Sequence, residues 1–238
     1  MKFHKSHVAL LFTLVVGFFV VYYATHNVDI YVPADNQEVN NDVVIVLDAG
    51  HGGLDSGCIS VTGKEEKDIN LAIMLKVRDM CKAMGYEVET TRDTDVSIHD
   101  EGVTGTGNQK RSDMNNRLKL FNKYDNAVCV SIHQNQFTQP QYWGAQMFYS
   151  NSNPLNESFA TIMQQQFVSK LQPDNKRETK PTEKEIFLTY FTDNPSLMVE
   201  CGFLSNPEEA KLLESEEYQS KVAFTIFCGI DEFVNKNL

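Results

Sequence analysis

The stretch Val43-Val44-Ile45-Val46-Leu47-Asp48-Ala49-Gly50-His51-Gly52-Gly53-Leu54-Asp55-Ser56-Gly57 decides how the chain is built. An apolar, β-branched run that stops at a glycine-rich turn is the pattern of a buried strand whose carboxyl end opens into a tight loop. Glycines in such a loop allow positive φ and let a ligand approach the backbone, while the strand beneath supplies a rigid platform. One imidazole, His51, stands in that loop.

Two further apolar runs share this layout. Ala127-Val128-Cys129-Val130-Ser131-Ile132-His133 ends in a histidine, and Ser196-Leu197-Met198-Val199-Glu200-Cys201-Gly202 carries a carboxylate just ahead of a glycine. Ligands of open α/β sheets bind outside the carboxyl ends of the strands, so these ends can converge although they are far apart in sequence. A fourth group arrives with a helix. Glu66 precedes a segment whose apolar residues recur at helical spacing through Val77 and Met80, with Gly85 as its cap. A helix that follows a parallel strand begins near the strand's carboxyl edge, which brings Glu66 to the same rim as His51. His51, Glu66 and His133 then make a zinc-ligating set, with Glu200 free to act as a base. On spacing alone a second reading stays open. The compact H-E-x-x-H motif is absent, and each of these residues also suits a strand cap, a helix cap or a satisfied core position.

The remaining elements alternate between strand and helix. Residues 86–91 read as a strand, 94–112 as a polar, glycine-containing loop, 113–124 as a helix and 145–149 as a strand. A long helix is expected from Asn153-Pro154 to Leu171, a charged surface loop over 173–183, a short strand over 186–188 and two helices after Asn206-Pro207. This order predicts one α/β domain over residues 43–238, with a twisted, mostly parallel or mixed sheet of about six strands and helices on both faces.

Ahead of the domain, Lys2 and Lys5 precede a charge-free apolar run over residues 8–23 that ends in Tyr22-Tyr23. This predicts a membrane-spanning helix within residues 1–24, followed by a polar tether over 25–42. A cut after Ala24 would place Tyr22 where signal peptidase needs a small residue, so the reading is a retained single-pass anchor in the cell membrane. The basic flank puts the rest of the chain outside the cytoplasm. A cleaved leader would instead give a secreted protein. The net charge of −11 excludes the basic stripe that a nucleic-acid binder needs. Cys58, Cys81, Cys129, Cys201 and Cys228 show no C-x-x-C spacing and are expected as free thiols.

Four blocks, read in order, carry a resemblance. They are Leu47-Asp48-Ala49-Gly50-His51-Gly52-Gly53 with Asp55 and Gly57; Glu66-Lys67-Asp68 with Asn70-Leu71-Ala72; Ser131-Ile132-His133 with Asn135; and Val199-Glu200 with Gly202-Phe203-Leu204-Ser205-Asn206. Together they resemble the zinc-dependent N-acetylmuramoyl-L-alanine amidases of bacterial cell walls, from about Val43 to the end of the chain. The resemblance implies hydrolysis of the amide between N-acetylmuramic acid and the L-alanine of the peptidoglycan stem peptide. Carried over position by position, it implies that His51, Glu66 and His133 bind Zn2+ and that Glu200 is the catalytic glutamate, general base and then general acid. A catalytic domain standing alone behind an anchor resembles the sporulation-associated members; general wall remodelling is the competing role. Gln134 and Gln136 depart from the small residues more usual beside the histidine, and are expected to narrow or polarise the substrate groove.

Several readings compete. An α/β-hydrolase is excluded because no G-x-S-x-G elbow occurs. A cysteine hydrolase would pair Cys129 or Cys201 with His133, and a third reading is an inactive peptidoglycan-binding or scaffold protein of the same fold. Arg92 and Arg117 are read either as rim residues that hold peptide carboxylates or as surface ion pairs. Phe137, Tyr142 and Trp143 either stack on sugar faces or pack a loop.

Overall fold

The computed structural model describes residues 42–238. The anchor expected over residues 1–24, and the tether up to Asn41, lie outside them. Among the described residues no helix is long and apolar enough to cross a membrane.

The first strand, β1 (Val44–Ala49), shows why the opening run is apolar without interruption. Its side chains alternate between two cores: Ile45, Leu47 and Ala49 enter the larger, Val44 and Val46 the smaller. A central strand buried on both faces cannot show the alternation of a half-exposed one. It is the second of six strands in the order β2-β1-β3-β6-β4-β5. Here β2 is Glu87–Thr90, β3 Ala127–Asn135, β4 Gln146–Ser150, β5 Lys180–Thr182 and β6 Ser196–Phe203. The pairs β1–β2, β1–β3, β3–β6 and β4–β5 are parallel, and β4–β6 is antiparallel. The sheet is therefore mixed, and β1, β3 and β6 deliver their carboxyl ends to one edge.

Helices cover both faces. The larger core holds α1 (Glu66–Ala83), α3 (Asn156–Lys170) and α6 (Glu216–Asn237), and α5 (Pro207–Glu214) leads into α6. In α1 the residues Ile69, Ile73, Met74, Val77 and Cys81 are fully buried, the helical stripe that the sequence spacing predicts. Each such aliphatic burial contributes roughly 1.5–3 kcal/mol. The helix stops where Gly85 turns to φ +99° and its N–H reaches the Lys82 carbonyl. The smaller core packs α2 (Thr106–Phe121) and α4 (Phe187–Phe191) against Val44, Val46 and Cys129.

Three segments differ from expectation. Helix α2 starts at Thr106, inside the stretch read as a loop, because its first turns are polar and exposed. Its buried stripe is Ser112, Asp113, Arg117 and Phe121, a helical period carried mostly by polar and charged residues. Residues 186–188, read as a strand, open the short helix α4; three apolar residues are too few to separate the two periods. The loop over 173–183 contains the edge strand β5, with Pro181 in its middle, a residue that sheets accept at edges.

Beneath the loop after β1 lies a buried ion pair. Arg117 Nη1 donates to Asp48 Oδ1 at 2.5 Å and its Nε to Asp113 Oδ2 at 2.7 Å. Thr91 and Ser131 also donate to Asp48. Burial works against the Asp48 charge, but Arg117 and these hydroxyls prevail and hold its carboxyl below the ordinary 3.8. Removing one partner of a buried pair strands the other, so Arg117→Met should lose roughly 3–5 kcal/mol of stability in urea unfolding at pH 7. A depressed carboxyl stabilises fully above its unfolded pKa and ceases to do so as pH falls through the folded value. The deficit of Arg117→Met relative to wild type should therefore shrink when unfolding is repeated below pH 3.8.

Candidate active site

The turn after β1 is shaped by conformations that few side chains adopt. His51 has φ +64°, the positive value of a non-glycine residue, and Gly52 and Gly53 follow at +134° and +58°. Backbone held in such a region is costly unless its surroundings over-determine it. Two arginines do so. Arg92 donates to the carbonyls of Ala49, Gly50, Lys67 and Thr94, and Arg117 donates to those of Ala49 and His51 at 2.8 and 2.6 Å. Both are buried, 3% and 2% exposed, so neither forms a surface ion pair; they fasten the loop from below, and Arg117 also borders the cavity beside the histidines. Lys67 ties it from the side through Gly53 O, and bridges to Asp95.

Two glycines make room for the side chains that meet above this base. A Cβ on Gly50 would lie 2.2 Å from the His133 ring, and one on Gly57 would lie 2.5 Å from Glu66 Oε2 and 2.7 Å from His51. At the centre is Glu66. Its Oε1 accepts from Asn70 Nδ2 and the Gln134 N–H and lies 3.0 Å from His133 Nδ1. Its Oε2 accepts from the Cys58 N–H and lies 3.3 Å from His51 Nε2. Burial opposes the Glu66 charge, but the hydrogen bonds from His133 and His51 outweigh it and drive the carboxyl far below its ordinary value. One ligand atom from each of His51, Glu66 and His133 falls within 4.8 Å of the others. A cavity of about 140 Å³, bordered by Asp48, His51, Asp55, Ser131, His133 and Met198, opens beside them.

Asp55 supplies what the sequence reading placed only inside a matched block. Its Oδ2 lies 3.1 Å from His51 Nδ1 and 3.0 Å from Lys110 Nζ. Burial would raise its carboxyl, but the bonds from Lys110 and His51 hold it at about 2. Glu200 reaches the same place from β6, where it is the register partner of His133 on β3, just before a register shift that ends at Asn135. Bulges of this kind re-aim side chains beside reaction sites. Its Oε2 is buried with no hydrogen-bond partner among the described residues. Burial pushes its carboxyl up to about 7; the Glu66 charge adds to this while His133 and His51 offset part of it.

Gln134 does not border the groove as expected. It is buried on the α1 side, where its amide donates to Asn70 Oδ1. All five cysteines are free thiols. Cys129 and Cys201 are fully buried and burial pushes both thiols well above their ordinary value, so neither is an available nucleophile.

A family model for N-acetylmuramoyl-L-alanine amidase matches residues 45–232. The chain belongs to this family. It is 37% identical to the germination-specific N-acetylmuramoyl-L-alanine amidase of Bacillus subtilis over 188 residues, covering 79% of this chain and 78% of that one. It is also similar to the N-acetylmuramoyl-L-alanine amidase AmiA of Escherichia coli, at 25% identity over 79% of this chain and 74% of AmiA. Among solved structures, the CwlD amidase of Clostridioides difficile, in complex with the GerS lipoprotein, superposes with a TM-score of 0.77 at 38% identity. That likeness covers 81% of this chain and 98% of CwlD. This amidase therefore hydrolyses the amide bond between N-acetylmuramic acid and L-alanine in peptidoglycan.

The raised carboxyl of Glu200 has a measurable cost in the metal-free amidase. A group whose folded pKa exceeds its unfolded value favours folding at low pH and loses that contribution as pH rises through the folded value. For Glu200 the loss runs from about 4.5 to about 7. Thermal unfolding of metal-free Glu200→Gln should show a Tm above wild type at pH 8, and a difference that shrinks towards zero at pH 4.

Proposed function

We propose that His51, Glu66 and His133 hold a zinc ion and that Glu200 handles the proton during amide hydrolysis. The observation that carries this is the buried, partnerless Oε2 of Glu200 beside three donor atoms that fit one ion. The fit is chemical as well as spatial. Two imidazoles and a carboxylate are a recognised hydrolytic zinc set that leaves a position open. Glu66 stands with Oε2 3.3 Å from His51 Nε2 and with Oε1 3.0 Å from His133 Nδ1, and one ligand atom from each of the three residues lies within 4.8 Å of the others. When bound, zinc supplies a Lewis acid that polarises the scissile carbonyl and acidifies water to a pKa of about 7.

The chain's own residues supply the rest. Asp55 takes the proton side of the His51 ring at Nδ1, which leaves Nε2 facing Glu66 and available as a ligand. Asn70 and the backbone of Cys58 and Gln134 fix both Glu66 oxygens. Glu200, buried and without a hydrogen-bond partner among the described residues, is free to take a proton from the attacking water and return it to the departing amine of alanine.

The resemblance to a germination-specific relative supports a role at the spore cortex. The apolar run over residues 8–23 behind Lys2 and Lys5 supports an anchor over 1–24 and a tether over 25–42, with the domain 43–238 facing the wall.

Full-length protein incubated with purified muropeptides should release stem peptides detectable by mass spectrometry. A chelator should abolish release, and zinc should restore it. Glu200→Gln should retain zinc and lose about 10²–10⁴-fold in kcat; near wild-type turnover would refute its assigned role. Asp55→Asn should bind zinc about 10–100-fold more weakly in a chelator competition.

A further inference from the structure

Beside Glu200 lies a groove that the chemistry above leaves unused. Strand β4 runs antiparallel to β6, with Gln146 opposite Glu200 and Phe148 opposite Met198. Met147 and Tyr149 enter the larger core. Gln146 and Phe148 therefore lie on the Glu200 face of the sheet, one strand spacing of about 4.8 Å farther from β3. A cavity of about 350 Å³ opens there, walled by Phe137, Tyr142, Phe148 and Phe203 and by two cations, Arg177 and Lys180.

The guanidinium of Arg177 is held in place rather than paired. It sits 4.4 Å from the ring centre of Phe203 and 5.7 Å from that of Tyr142. Its Nε donates to Trp143 O and its Nη1 to Gln146 Oε1, both at 2.9 Å, which leaves Nη2 without a partner among the described residues. Glu209, whose charge reaches Arg177, accepts instead from the N–H groups of Gly144 and Phe203. Lys180 Nζ stands 5.8 Å from the ring centre of Phe148. Both cations face rings, and neither forms an ion pair among the described residues. In a chain of net charge −11, two such cations on the face of the reacting groups call for an anion from outside.

The substrate has one anionic side. On the glycan side the lactyl carboxyl is consumed in the scissile amide and carries no charge. On the peptide side, a second residue that is glutamate joined through its side chain keeps its α-carboxylate. An extended chain advances about 3.3–3.6 Å per residue, so that group lies about 7 Å beyond the scissile bond. Arg177 is tied to that side of the site through Gln146, whose Oε1 accepts from it and which stands opposite Glu200. We propose that the groove is the stem-peptide subsite and that Arg177, with Lys180 beside it, binds the free α-carboxylate of the second peptide residue. The proposal rests on the amidase reading above and adds to it the side of the site on which the leaving peptide lies.

The test uses zinc-loaded full-length protein and two muropeptides that differ only in that α-carboxylate, free in one and a carboxamide in the other. Wild type should prefer the carboxylate by about tenfold in kcat/KM, mostly through KM, as one lost charge-assisted bond implies. Arg177→Met should narrow the preference to under about threefold, and Arg177→Lys should restore part of it. Lys180→Met should reduce it to an intermediate value. The wild-type comparison decides the matter even if Arg177→Met fails to fold. Equal kcat/KM for the two substrates overturns the subsite while leaving the amidase reading intact, as does an Arg177→Met variant that slows both equally. Cleavage of neither by wild type overturns both.

Discussion

The carboxylate of Glu66 is the contact on which the site depends. It gathers the Cys58 N–H from the loop, Asn70 from its own helix, the Gln134 N–H from β3 and the imidazoles of His51 and His133. Segments distant in sequence are thus registered against one another by a single buried side chain that is 3% exposed. Burying a charge is expensive unless it is fully hydrogen-bonded, and here both oxygens are. The same saturation pins the rings in orientation, which a ligand set requires and a loose cluster of side chains does not supply.

Support for that contact comes from below. His51 can hold φ +64° because Arg117 grips its carbonyl, and Arg117 can be buried because Asp48 and Asp113 balance it. Arg92 adds the carbonyls of Ala49, Gly50 and Lys67. The loop is therefore braced through its backbone oxygens, which leaves its side chains free to face the cavity. A loop braced through its side chains would have none left over for ligands. This also explains why the strand gives way to Asp48 at its end: the ion pair replaces apolar packing where the sheet must stop and the turn begin.

Much of this was legible in the sequence. The apolar runs ending in His51, His133 and Glu200, and the helix opening at Glu66, are period and position signals that survive without an alignment, and the sheet edge where they meet follows from the parallel order of the strands. Less visible were features whose burial is not apolar. Helix α2 buries Asp113 and Arg117 instead of leucines, so a search for hydrophobic period starts it seven residues late. Arg92 and Arg117 look like surface charges until their carbonyl partners are known. Gln134 alternates onto the α1 side of β3, a fact fixed by the strand's parity and open to the sequence once the direction in which His133 faces was assumed. The groove of Phe137, Tyr142 and Arg177 joins the loop between β3 and β4 to the one before β5, and no local spacing marks it.

The electrostatic balance of the site then follows from its geometry. Glu66 is held ionised by its donors, and Asp55 by Lys110 and His51, whereas Glu200 is buried beside them without a hydrogen bond, and burial above all raises its carboxyl. Near neutrality it answers by keeping a proton part of the time. On the assignment proposed above, a dication at His51, Glu66 and His133 offers the alternative compensation, and a nearby positive charge favours the ionised form of a carboxylate. Proton and metal are therefore competing answers to the same buried, unpartnered carboxylate. The loaded site should hold Glu200 more fully as the base, and the empty one more fully as the acid. A carboxylate already tied down by hydrogen bonds could not make that exchange, and the missing partner of Glu200 is what allows it.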